Sequence, residues 1–122
     1  MFSTILLTFL LTSTTLTEDP LTSAPLVPGA VPLEEQGRYE SSRNFDDTVQ
    51  YYYRKFRGTG LARWKNIVNL PTVRAKHLQS KQDKSKWLGI NIYESEGKVR
   101  IYVIPRESVR AEAEAAAKAS AN

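Results

Sequence analysis

The chain has 122 residues, with 17 Lys and Arg against 13 Asp and Glu and a formal net charge of +4 at pH 7. That length suits one domain of ordinary size. The absence of cysteine excludes disulfides, thiolate catalysis, iron–sulfur clusters and cysteine zinc sites, and a single histidine excludes a multi-histidine metal centre.

From Phe2 to Leu16 no residue is charged, and Leu, Ile, Phe and Thr dominate. A run of about 15 residues falls short of the roughly 20 that a spanning helix needs. It fits the apolar region of a secretory signal better, although no Lys or Arg precedes it. Thr15 and Thr17 stand where small residues would precede cleavage before Glu18. Residues 1–17 are therefore expected to be a signal peptide or, in the alternative, a membrane anchor. Pro20, Pro25, Pro28 and Pro32 then crowd the next stretch together with Gly29 and Gly37. Such a composition holds neither a helix nor a central strand, so residues 18–40 are expected to be a linker.

Residues 41–106 carry the organised pattern. Asn44 suits a helix N-cap, and Asp46 and Asp47 fall in the first turn, where carboxylates complement the helix dipole. Phe45, Val49, Tyr52, Tyr53 and Phe56 form one apolar stripe, and Gly58 and Gly60 stop the helix. Four strand candidates follow. Ala62 to Leu70 alternates imperfectly, and Val73 to Ser80 is a weaker run beyond Pro71. Leu88, Ile90 and Ile92, a turn over Glu94–Gly97, and then Val99, Ile101 and Val103 read as a β-hairpin. Strict alternation places Trp87, Asn91, Tyr93, Arg100 and Tyr102 on the sheet's second face. The expected fold is α+β: one amphipathic helix packed on an antiparallel sheet of three to four strands, in two layers. Residues 107–122 are rich in Ala and Glu, with Glu114 and Lys118 spaced for a helical pair. They are expected to form a solvated helix or a disordered tail.

The charge is unevenly distributed. Between Arg54 and Lys86 lie ten basic residues and one acid, a local +9, while the remainder of the chain sums to −5. Aromatic residues interleave with these cations, as in Arg63-Trp64-Lys65 and Lys86-Trp87. Cations beside flat rings suit a polyanion carrying stackable or apolar groups. The candidate ligand-binding residues are Trp64, Trp87, Tyr93 and Tyr102 for flat contact surface, with Arg54, Arg57, Arg63, Lys65, Lys84 and Lys86 for charge. The bland alternative makes the aromatics core and the cations a solvated face.

No catalytic constellation is visible. His77 stands alone in a weak strand, no local spacing joins it to a serine and a carboxylate, and it reads as a strand residue. Asp46 and Asp47 are explained by capping. Glu94 and Glu96 lack a third ligand for a cation, and Gly58-Thr59-Gly60 follows a helix instead of opening one. No metal or cofactor is expected.

Asn44-Phe45-Asp46-Asp47-Thr48-Val49, Arg63-Trp64, Asn69-Leu70-Pro71, Gly89-Ile90-Asn91-Ile92-Tyr93 and Val103-Ile104-Pro105-Arg106 together resemble a family of small exported bacterial proteins of unknown function. The likeness covers about 42–106. It implies an envelope or secreted location and brings no activity with it. The expectation is an exported binding module, periplasmic or secreted, that meets an anionic envelope polymer, a lipid surface or a partner protein. The alternative is a nucleic-acid-binding protein retained inside the cell.

Overall fold

The computed structural model describes residues 16–70 and 72–121. The apolar run read as a signal or anchor therefore lies, except for its last residues, outside the described residues. Among the described residues, two helices and six strands occur in the order β1 (Val31–Pro32), β2 (Arg38–Glu40), α1 (Phe45–Phe56), β3 (Ala62–Asn69), β4 (Val73–Ser80), β5 (Trp87–Ser95), β6 (Lys98–Pro105) and α2 (Glu107–Ala121). The strands form one antiparallel sheet in the order β1-β2-β6-β5-β4-β3. The class is α+β as expected, but a sheet of three to four strands understates it. The two additional strands are two and three residues long and lie in the proline-rich stretch, too short for alternation to reveal them.

Helix α1 begins where its cap requires. Asn44 is extended, and its side-chain oxygen accepts the Asp47 amide at 2.8 Å, satisfying a donor that the first turn leaves without an intrahelical partner. Phe45, Thr48 and Tyr52 are buried against the sheet. Thr48 is a polar member of that stripe, satisfied by Ser41 Oγ at 2.8 Å and by the Asn44 carbonyl. Tyr53, expected on the stripe, is 44% exposed instead. Tyr39, Leu78, Ile90, Ile92, Val99, Ile101 and Val103 bring the sheet's side of the same buried cluster.

The stretch 18–40 departs most from its expected role as a linker. Ala24, Leu26, Val27 and Ala30 are fully buried in the same core cluster. The segment solves the backbone problem that its prolines create by folding on itself. Asp19 N donates to the Ala24 carbonyl at 2.8 Å, and Leu26 N donates to the Thr17 carbonyl at 2.9 Å. The buried Asp19 carboxyl accepts from Thr22 N at 3.0 Å, from Thr22 Oγ1 at 2.7 Å, and from the Tyr39 hydroxyl. On the helix side, the Tyr52 hydroxyl donates to the Pro25 carbonyl at 2.8 Å.

The β5–β6 hairpin turns through Glu96 and Gly97, both with positive φ, as a two-residue connection demands. A bulge interrupts its other end. Trp87 pairs with Pro105 and Gly89 with Ile104, which leaves Leu88 as the extra residue. The bulge reverses the parity of everything before it. Leu88, expected on the core face, is 42% exposed, and Trp87, expected on the second face, is 6% exposed with its ring 5.8 Å from that of Phe56.

Candidate functional site

The sheet has one face covered by α1 and one opposite it. Register assigns the second face row by row. Arg38 stands beside Tyr102, Tyr102 beside Asn91, Asn91 beside His77, and His77 beside Lys65, a line crossing five strands. The neighbouring row runs Glu40, Arg100, Tyr93 and Ala75. Arg63 lies beside Gln79, and Gln79 beside Gly89.

These side chains are ordered by mutual contact. The Arg38 guanidinium sits over the Tyr102 ring at 4.1 Å and donates to the Tyr93 hydroxyl at 3.3 Å. It also lies 3.4 Å from the exposed Glu35 carboxylate. His77 Nδ1 hydrogen-bonds Asn91 Oδ1, and since an amide oxygen only accepts, Nδ1 carries the proton. The imidazole lies over Gly89, where an added Cβ would fall 2.3 Å from its Cε1. Glycine is therefore the residue that leaves room for the histidine. Arg100 Nε is buried without a hydrogen-bond partner. With Tyr93, Ser95, Glu96 and Lys98, Arg100 lines a cavity of about 330 Å³.

The ten residues singled out from sequence do not share one surface. Tyr93 and Tyr102 belong to the open face, and Arg63 and Lys65 reach it, exposed, from β3. Trp64 alternates to the helix side. There it is half-buried and lines a shallow cavity of about 360 Å³ with Val49, Gln50, Tyr53, Asn66 and Lys76. Arg54 and Arg57 are exposed on and just after α1, with Arg57 5.9 Å from the Tyr53 ring. Lys84 and Lys86 are exposed between β4 and β5. Trp87 is core and has no flat face to offer a ligand, a consequence of the bulge at Leu88. Within the same basic stretch, Arg74 is held on the helix side by Glu94 at 3.0 Å and Asp46 at 3.2 Å.

Arg38 was not among the sequence candidates because it lies in the stretch read as a linker. Arg100 was placed on the right face by alternation, but nothing in the sequence pairs it with a cavity. Away from the open face, burial and the hydrogen bond to Asp19 push the Tyr39 hydroxyl well above the usual phenol range. Burial does the same for Tyr52. Both hydroxyls are structural donors.

Among the described residues no three His, Asp or Glu side chains are grouped to hold a metal, and no helix is long and apolar enough to cross a membrane. No protein-family model, curated protein or solved structure matches the chain.

Proposed function

We propose that the protein is an exported binding module that takes an extended anionic polymer of the cell envelope along the open face of its sheet. The observation that carries this reading is the row from Arg38 through Tyr102, Asn91 and His77 to Lys65, with Arg100 and Tyr93 beside it. Arg38, Arg100, Arg63 and Lys65 bring cations to that face, against the carboxylate of Glu40 within it. The tyrosines supply flat, amphipathic area with few rotatable bonds to immobilise. Aromatic rings between cations match a chain of sugar rings bearing carboxylate or sulfate groups. The uncharged run Phe2–Leu16 supports export, and export places the ligand outside the cytoplasm.

The test is titration with an acidic polysaccharide, a single-stranded oligonucleotide and anionic vesicles across a range of salt. For a flexible polyanion engaging these four cations, log affinity should fall with log salt at a slope of about −2.8. Arg38→Ala and Tyr102→Ala should each weaken binding about ten-fold, whereas Arg54→Ala with Arg57→Ala on the helix should leave it unchanged. Absence of binding at low salt, or equal losses from the helix variants, would remove the open face from consideration. Binding confined to the oligonucleotide, together with a cytoplasmic location in fractionated cells, would move the reading to nucleic acid.

A further inference from the structure

The sheet ends at β3 on one side, and that edge differs from the other. At the far side β1 is two residues long, includes Pro32 and pairs with β2. Strand β3 is eight residues long, and among the described residues nothing pairs with its outer side. Natural sheets seldom leave a long edge open without a device to control what joins it.

The register shows which backbone groups face outward. Lys81 N donates to the Leu61 carbonyl at 2.8 Å, so Leu61 and Lys81 stand opposite one another as a hydrogen-bonded pair. In an antiparallel ladder such pairs alternate with non-bonded ones. The pairing of Ala62 with Ser80 continues through Trp64 with Leu78 to Asn66 with Lys76. Arg63 and Lys65 therefore turn their amides and carbonyls toward β4. Ala62, Trp64 and Asn66 turn theirs outward, and a bulge after Asn66 ends the regular edge.

Side chains alternate with the same period. Trp64 and Asn66 point to the helix side, where with Tyr53, Val49 and Lys76 they line the shallow cavity beside the edge. Arg63 and Lys65 point to the open face and are exposed. A strand joining this edge would meet two chemistries in alternation. Residues opposite Ala62, Trp64 and Asn66 would form the backbone hydrogen bonds and face an aromatic hollow. Residues opposite Arg63 and Lys65 would face cations.

We propose that the outer edge of β3 is a docking strand for an extended segment of a partner protein in which apolar and acidic residues alternate. Charge selects this occupant over a second copy of the chain. Two β3 edges paired antiparallel about Trp64 would set Arg63 of one copy against Lys65 of the other, and like charges directly opposite are unfavourable. The same two cations that deter self-pairing attract carboxylates at alternate positions.

The experiment uses the full chain and synthetic peptides alternating valine and glutamate, with binding followed by calorimetry. Methylating the valine amides, which face β3, should weaken binding by at least about ten-fold, equal to about 1.4 kcal/mol. Methylating the glutamate amides, which face away, should leave affinity unchanged. A valine–lysine peptide should bind more weakly than the valine–glutamate one, and Asn66→Pro, which removes an outward amide, should mimic methylation. Where Asn66→Pro fails to fold, the methylated peptides on the wild-type chain still decide. Tyr102→Ala, across the sheet, should bind the peptide normally, which separates this edge from the polymer face. Equal binding of the two methylated peptides would overturn the proposal. So would no binding of any peptide, or a dimer in solution that excludes the peptide.

Discussion

The two segments flanking the main body of the sheet look alike in one respect: composition gives neither an apolar periodicity. The proline-rich arm from Thr17 to Ala30 nevertheless sends Ala24, Leu26, Val27 and Ala30 fully into the core. The Ala- and Glu-rich segment from Glu107 to Ala121 is a regular helix that remains almost wholly exposed, with Val109 and Ala113 half-buried. Regular secondary structure and participation in the core are thus separate properties. Helix α2 forms because its residues lose little side-chain freedom in a helix. The arm is irregular yet anchored, because its apolar residues are delivered by turns whose hydrogen bonds are closed internally and through Asp19.

The sharpest way to break this comparison is to empty the arm's part of the core. Leu26→Ala should destabilise the protein by about 2–5 kcal/mol, the range for a buried leucine, where a linker residue would cost almost nothing. Urea unfolding of the two proteins measures it.

A second, smaller effect concerns the polar anchor. Tyr39→Phe leaves one Asp19 oxygen without its donor and should cost about 1–3 kcal/mol. The same hydroxyl predicts a pH dependence. Unfolded phenols ionise near pH 10, whereas burial and Asp19 hold the folded Tyr39 protonated to higher pH, and burial does so for Tyr52. The unfolded state therefore binds fewer protons above that point. Stability intact below about pH 10 should decline as pH rises further. Tyr39→Phe should make the decline shallower, as should Tyr52→Phe, in denaturant titrations at successive alkaline pH values.

The smallest effect lies at the other flank. Removing residues 111–122 should change stability by no more than about 0.5 kcal/mol, because residues 111–120 are exposed apart from Ala113. A loss of several kcal/mol in the same measurement would mean that the two flanks hold the sheet alike.

These differences also mark how far the sequence could be read. The start of helix α1 was legible, because Asn44, Asp46 and Asp47 act locally and Phe45 and Tyr52 follow the helical period, but its stripe was not legible throughout: Tyr53 is exposed and the polar Thr48 is buried. The β5–β6 hairpin was legible for the same reason between Ile90 and Val103. Trp87 and Leu88 were misplaced because one bulge inverts every alternation before it, and nothing in the side chains announces an extra residue. Strands β1 and β2 were invisible because two or three residues have no measurable period. The candidate site was accordingly half readable. Tyr93, Tyr102 and Arg100 follow from alternation, but the guanidinium that orders the two rings belongs to Arg38, whose strand exists only because β6 is there to receive it.

That last dependence reaches beyond the finished structure. Strands β3 to β6 are joined to sequence neighbours, but β2 pairs with β6, with Tyr39 opposite Ile101. A chain emerging from its N-terminus therefore carries the arm and β2 unsatisfied until nearly everything else has been synthesised. Closing so long a loop has an entropic cost that must be met before its contacts contribute, which makes it a late and slow step. Until that step Leu26 and Val27 lack the core that buries them in the finished fold, and a chain held up there would carry its apolar arm in contact with water.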